Sequence, residues 1–201
     1  MQREIIVERL DGSFKNFGVR RSARGDHDLN PEMQPDNNLR EAAVLVPLVD
    51  RPEGMTMMLT RRTEHLVDHP GQISFPGGRV EPEDASVEAA ALREAEEEVG
   101  LDPSLVRIVG RLDQYITRTS FSVVPVVGIV EPNYTSNPDT FEVAEVFEVP
   151  LAFLLDPANH QRHHREYRGM RREFYAMPYG DYYIRGASAG MIKNLYDVLA
   201  T

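Results

Sequence analysis

A chain of 201 residues is long enough for one domain with a well-buried core and only marginally long enough for two. Its 41% apolar and 27% charged residues are ordinary for a soluble globular protein, and a formal net charge of −10 disfavours nucleic acid as the main partner. The absence of cysteine excludes disulfides, thiolate metal sites and cysteine nucleophiles; it fits a reducing compartment, with the cytoplasm as the default expectation.

The amino-terminal MQREIIVERLDG has no apolar run long enough for a signal peptide, and AAVLVPLV and FSVVPVVGIV are too short to cross a bilayer, so no membrane partner is expected. Met1 to Gly18 leaves three readings open: a strand, a contact in a homodimer, or a tail. From Val19 to Asn38 almost no large apolar residue occurs, so the stretch has little to offset its ordering entropy and reads as an extended linker. Residues 1–38 are therefore set apart as extension and linker, and 39–201 as the folded domain.

The body opens with three short apolar runs, AAVLVPLV, MTMMLT and QISF, separated by Pro and Gly, which favours strands. Ala85 to Val99 then lacks Gly and Pro, is rich in Ala, Leu, Glu and Arg, and is stopped by Gly100 with Pro103 behind it. This predicts a helix capped near Ser86 or Asp84. Strands are predicted at Val106–Thr117, Phe121–Val130, Ala144–Val149, Arg172–Met177 and Tyr182–Ile184, with TRTS, NYTSNPD and YGD as turns. From Ala187 to Leu199 the apolar residues Met191, Ile192, Leu195, Tyr196 and Leu199 recur at helical spacing, predicting a helix packed on the sheet. Many strands with two or three helices indicate an α/β (α+β) fold in which a mixed sheet is covered by helices.

The predicted helix at 85–99 is crowded with acid: Glu94, Glu96, Glu97 and Glu98, with Glu88 upstream. At ~100° per residue from Val87, the residues Ala91, Leu92, Ala95 and Val99 share an arc of roughly 40° to 140°, the expected buried face. Glu94, Glu97 and Glu98 share a second arc, from about 280° to about 20°, with the small Val87 and Ala90 upstream leaving room for a ligand. Glu96 points away from both. Like charges at this spacing cost a helix ~0.2–0.5 kcal/mol per pair, which a bound cation more than offsets. Oxygen-only donors suit Mg²⁺ or Mn²⁺, and Arg93 flanks the cluster with a fork of donors able to fix a carboxylate. Taken alone, a Glu-rich helix is more often a solvated face. The loop before it, FPGGRVEPED, changes that reading, because Gly77 and Gly78 let a ligand approach the main chain.

Loop and helix together closely resemble the Nudix box, Gly, five residues, Glu, seven residues, then Arg-Glu-apolar-x-Glu-Glu-x-Gly-apolar. The match spans Gly78 to Leu101 and places Arg93, Glu94, Ala95, Glu97, Glu98, Gly100 and Leu101 in register. The spacing departs at one point: Asp84 stands five residues after Gly78, but eight residues rather than seven separate it from Arg93. Asp84 is accordingly left outside the expected site, with Glu81 and Glu83 as loop alternatives.

The resemblance implies an α/β/α sandwich and a hydrolase that cuts a pyrophosphate in a nucleoside diphosphate derivative with Mg²⁺ or Mn²⁺. Glu94, Glu97, Glu98 and the carbonyl of Gly78 would ligate metal, and Glu94 or Glu98 would help deprotonate the attacking water. A later loop often lends another Glu; of Glu142, Glu145 and Glu148, alternation puts Glu142 just ahead of its strand and favours it, while an exposed strand Glu remains an equal reading. A narrower resemblance, Met58 to Gly78, MLTRRTEHLVDHPGQISFPGG, is to coenzyme A pyrophosphatases, which split coenzyme A into 3′,5′-ADP and 4′-phosphopantetheine. Thr60, Arg62, Gly71, Phe75, Pro76, Gly77 and Gly78 agree with that signature; Val67 and Arg185 depart from it. Arg62 suits a substrate phosphate, its alternative being a salt bridge with Glu64 or Asp68. The basic RHHREYRGMRR is either a steering patch for a polyanion or a solvated hairpin, and His69, His163 and His164 have no metal-ligand spacing. Three functions stay open: coenzyme A hydrolysis; cleavage of ADP-ribose, a dinucleoside polyphosphate or a nucleoside triphosphate; and a nucleotide-binding module without catalysis.

Overall fold

The structure, a computed structural model, describes residues 3–15, 23–32, 38–167 and 169–200. Its centre is a ten-residue parallel pair, β2 (Arg40–Val49) against β8 (Phe121–Val130). Both strands read as nearly continuous apolar runs because both faces of the sheet are covered. Ala42, Val46 and Leu48, with Val123, Val127 and Ile129, enter one core; Ala43, Leu45 and Val49, with Val124, Val126 and Val130, enter the other, as the period of two dictates.

Around this pair the sheet extends through β3 (Thr56–Arg62), β4 (Ile73–Ser74), β5 (Gly77–Arg79), β6 (Val106–Arg111), β7 (Tyr115–Ile116) and β9 (Val143–Pro150). Helix α2 (Val87–Val99) covers one face, burying Ala90, Ala91, Ala95 and Val99. Helices α1 (Arg3–Lys15), α3 (Leu151–Leu154) and α4 (Ala187–Ala200) contribute to the core on the other face. The result is an α/β/α sandwich with a mixed sheet. A three-stranded antiparallel sheet, β10 (Gln161–Tyr167), β11 (Met170–Tyr179) and β12 (Tyr182–Arg185), lies beside α4, and its first two strands form the hairpin expected for the basic segment. Among the described residues no helix is long and apolar enough to cross a membrane.

Within the described residues two amino-terminal expectations are corrected; residues 16–22 and 33–37 of the expected extension and linker lie outside them. Met1 to Gly18 is neither strand nor tail over its described part, because Ile6 and Leu10 of α1 are fully buried against the body. The linker reading fails at residues 24–30. Arg24–Gly25 form β1, parallel to β7, and a short 3₁₀ turn follows at Asp26–Asp28. Polar tertiary contacts replace the missing apolar burial: Tyr115 Oη donates to Asp26 Oδ1 at 2.8 Å, and Arg118 N donates to Asp26 Oδ2 at 2.9 Å. Asn30, almost wholly buried, donates from Nδ2 to the carbonyls of Asp26 (2.7 Å) and Glu173 (3.0 Å) and accepts from Glu173 N at 2.9 Å. Asn30→Ala leaves those groups unsatisfied and is expected to cost about 1–3 kcal/mol in urea unfolding, with the catalytic rate per folded molecule unchanged.

The predicted strand Val106–Thr117 is interrupted between Arg111 and Tyr115, where Leu112 N bonds to Pro125 O at 2.9 Å and Asp113 N turns to Asn194 Oδ1 at 3.0 Å on α4.

Candidate active site

Helix α2 starts and stops as its sequence dictates. Ser86 caps it, accepting from Ala89 N at 3.2 Å, and Gly100 closes it in the left-handed conformation at φ 66°. That phase turns Glu94, Glu97 and Glu98 away from the buried Ala95 and Val99, with Glu96 exposed. Ala90 corrects the expectation: it is fully buried in the core rather than lining a ligand space.

The FPGG loop meets this flank. Gly77, at φ +155°, lies so close to β2 that a Cβ would stand 2.4 Å from Ala43 O, so only glycine fits. Its N–H donates to Glu98 Oε2 at 3.3 Å. Gly78 pairs with Ala43, and a Cβ there would fall 2.5 Å from the Glu94 carboxylate, so the missing side chain lets that carboxylate lie against the main chain.

Arg93 organises the acids. Its Nε and Nη2 grip the two oxygens of Asp84, both at 3.0 Å, while Nη1 donates to Glu94 Oε1 at 3.0 Å and Glu97 Oε2 at 3.1 Å, and Nη2 also reaches Arg79 O at 3.1 Å. This fork holds the Asp84 carboxyl below the usual carboxylate range and raises the pKa of Arg93 further. Asp84, set aside on spacing, is thus the anchor of Arg93; Asp84 N also donates to Glu81 O at 3.1 Å, a turn that absorbs the extra residue. Glu81 and Glu83 are exposed.

Burial sets the protonation of the deeper acids. The Glu98 carboxyl is pushed up to about 8 by desolvation, reinforced by the charges of Glu142 and Glu94 and opposed by the Gly77 N–H and Arg62. Glu94 is also raised, because its burial outweighs the ion pair with Arg93. Arg62, at the end of β3, has its Nη1 3.9 Å from Glu142 Oε2, while its buried Nε has no hydrogen-bond partner. The ion pair with Glu64 or Asp68 that stood as the alternative to a phosphate is made instead with Glu142, just ahead of β9. Of the other carboxylates considered, Glu145 bonds Arg61 and Tyr182, and Glu148 bonds Arg51, Thr56 and Tyr134, which commits both to holding the sheet edge. Val67 is 97% exposed, and Arg185 ends β12 opposite Ala176.

Among the described residues no three Asp, Glu or His side chains converge at metal-ligand spacing, since Arg93 draws Glu94 and Glu97 to one side and Gly77 draws Glu98 to the other. The donor chemistry nevertheless suits a hard divalent cation: oxygen ligands on one helix flank, beside a main chain bare of Cβ at Gly78, with one acid whose burial outweighs the Gly77 N–H and Arg62 that favour its ionisation. The guanidinium of Arg62, loosely paired with Glu142 at 3.9 Å, suits an anionic oxygen in the same place.

Comparisons with known proteins identify the family. Residues 39–170 match the family model of the NUDIX domain. The chain is 44% identical over 168 residues to an uncharacterized Nudix hydrolase, NudL, of Enterobacter sp. (strain 638), covering 83% of this chain and 87% of that one. It is 42% identical over 168 residues to NudL of Escherichia coli O1:K1 / APEC, with the same coverage of 83% and 87%. Among solved structures, DR0079 from Deinococcus radiodurans superposes with a TM-score of 0.51 over 80% of this chain and 88% of its own; at 17% identity that likeness speaks to the fold alone.

Proposed function

The chain belongs to the Nudix hydrolase family, and from that premise we propose that it cleaves the diphosphate of coenzyme A or its thioesters, with Mg²⁺ or Mn²⁺, to 3′,5′-ADP and the matching 4′-phosphopantetheine. The observation that carries the chemistry is Glu94 and Glu98 set against the Gly77–Gly78 main chain, with Glu97 beside them on Arg93 and Arg62 facing Glu142. The choice of coenzyme A rests on the likeness of Met58–Gly78 to that subfamily's signature.

Glu94, Glu97, Glu98 and the Gly78 carbonyl would hold the metal. When bound, it supplies charge neutralisation of the diphosphate, polarisation of a phosphoryl oxygen and a lowered pKa for water. Glu98 Oε2 accepts from the Gly77 N–H, which leaves Oε1 to take the proton of the attacking water; burial disfavours the ionised carboxylate that this role needs, and a bound cation would favour it. Arg93, itself anchored by Asp84, orients Glu94 and Glu97. Arg62 turns its fork from Glu142 to a phosphate oxygen, and Gly77 keeps the main chain close to the substrate.

Incubating the protein with Mg²⁺ or Mn²⁺ and coenzyme A, ADP-ribose, diadenosine polyphosphates and nucleoside triphosphates tests the reading. Release of 3′,5′-ADP from coenzyme A at the highest kcat/KM is expected. A higher kcat/KM on another compound would reassign the substrate, and no release from any would favour a binding module.

A further inference from the structure

Phe141 is a large apolar side chain left 63% exposed, one residue before Glu142. Its exposure does not come from a loose backbone. Asp139 N donates to the carbonyl of Glu98 and Asn137 N to that of Val99, both at 2.9 Å, which ties the loop to the end of the acidic helix. On the other side Thr63 Oγ1 donates to Phe141 O at 2.8 Å, and Thr63 N donates to Glu142 O at 2.9 Å, which ties it to the end of β3 beside Arg62. Phe141 N is itself held by Asp139 Oδ1 at 2.9 Å. The ring leans on that of His65 with centroids 4.9 Å apart and planes at 58°, a tilted contact that steadies the ring while most of Phe141 faces solvent.

We propose that Phe141, with His65 behind it, is the platform on which the base of the nucleotide substrate stacks, and so a specificity-determining residue of the site; this rests on the hydrolase reading above. Three features commit the platform to a base. Glu142, the next residue, pairs with Arg62, and Thr63 holds the Phe141 carbonyl, so the ring stands one residue from the group that would meet the diphosphate. An ordered aromatic ring covers a rigid planar partner without the ordering entropy that a flexible arm such as pantetheine loses. The pre-set ring also adds little entropy cost of its own on binding.

The test compares the wild type with Phe141→Ala and Phe141→Tyr. In the presence of Mg²⁺, the binding of ADP and of inorganic pyrophosphate is measured by calorimetry, alongside KM and kcat for coenzyme A. Phe141→Ala is expected to weaken ADP about tenfold, within the range supplied by base–aromatic stacking, and to raise KM by a similar factor with a smaller change in kcat. Pyrophosphate binding and the melting temperature should stay unchanged, and Phe141→Tyr should restore ADP binding. Equal losses for ADP and pyrophosphate, or no loss for either, would overturn the platform. A raised KM for coenzyme A with unchanged ADP binding would overturn it too, by assigning the ring to the pantetheine arm. Because ADP binding is read without turnover, a protein inert towards coenzyme A would sink the substrate assignment while leaving this result legible.

Discussion

Glu98→Gln is expected to lower kcat on the preferred substrate by roughly 10²–10⁴-fold, the range general-base catalysis supplies, and at the same time to stabilise the metal-free protein at alkaline pH. The two effects share one cause. In the folded chain, burial holds the Glu98 carboxyl up at about 8, against 4.5 for the free group. A carboxyl raised on folding adds stability that is fully present below the unfolded value near 4.5 and is lost as the pH rises through about 8, because the unfolded chain releases its proton first. Thermal unfolding of wild type in a chelator should therefore weaken across that window, by on the order of a few kcal/mol. Glutamine, neutral throughout, should flatten the slope, and Mg²⁺ or Mn²⁺ should flatten it in wild type, where the ion supplies the missing counter-charge. A variant that turned over at the wild-type rate would remove Glu98 from the chemistry.

Arg93→Ala is expected to lose both activity and stability, and Arg93→Lys to lose activity with less unfolding. The guanidinium bonds Asp84 twice and Glu94, Glu97 and Arg79 O once each. Alanine leaves three carboxylates facing one another without their cation; lysine restores the charge but cannot span Asp84, Glu94 and Glu97 together. Both variants should lower kcat/KM by about 10²-fold or more through displaced metal-holding carboxylates, and the half-saturating Mn²⁺ concentration should rise. Alanine should further depress the melting temperature by several degrees. The pH dependence carries a sign of its own: Asp84 is depressed by Arg93, so the stability it contributes is present above its ordinary value of 3.8 and lost as the pH falls through the lower folded value. Removing Arg93 removes that contribution, so Arg93→Ala should lose less stability than wild type as the pH falls below 3.8.

Periodicity explains what could be read from the residues alone. The shared flank of Glu94, Glu97 and Glu98 follows from 100° per residue, and the Ser86 and Gly100 caps from the chemistry of helix ends. Strand β8 was legible over its whole length because an apolar run bounded by turns fits a strand buried on both faces. What stayed hidden depends on partners distant in sequence. Nothing local says that Arg62 pairs with Glu142, that Asn30 closes on Glu173, or that Asp113 leaves its strand for Asn194. Asp84 was obscured differently: a count from Arg93 misses it by one residue, whereas a turn on Glu81 returns its carboxylate to the guanidinium. Exposure hid Phe141, since a single aromatic between polar residues carries no pattern.

Direct Mn²⁺ binding by electron paramagnetic resonance, on wild type and on Glu97→Gln and Glu98→Gln, with and without ADP, tests the central claim. The account predicts saturable uptake by wild type, tightened by ADP and weakened at least tenfold in both variants while their folds persist. Wild type that left Mn²⁺ free in solution even with the nucleotide present would contradict it.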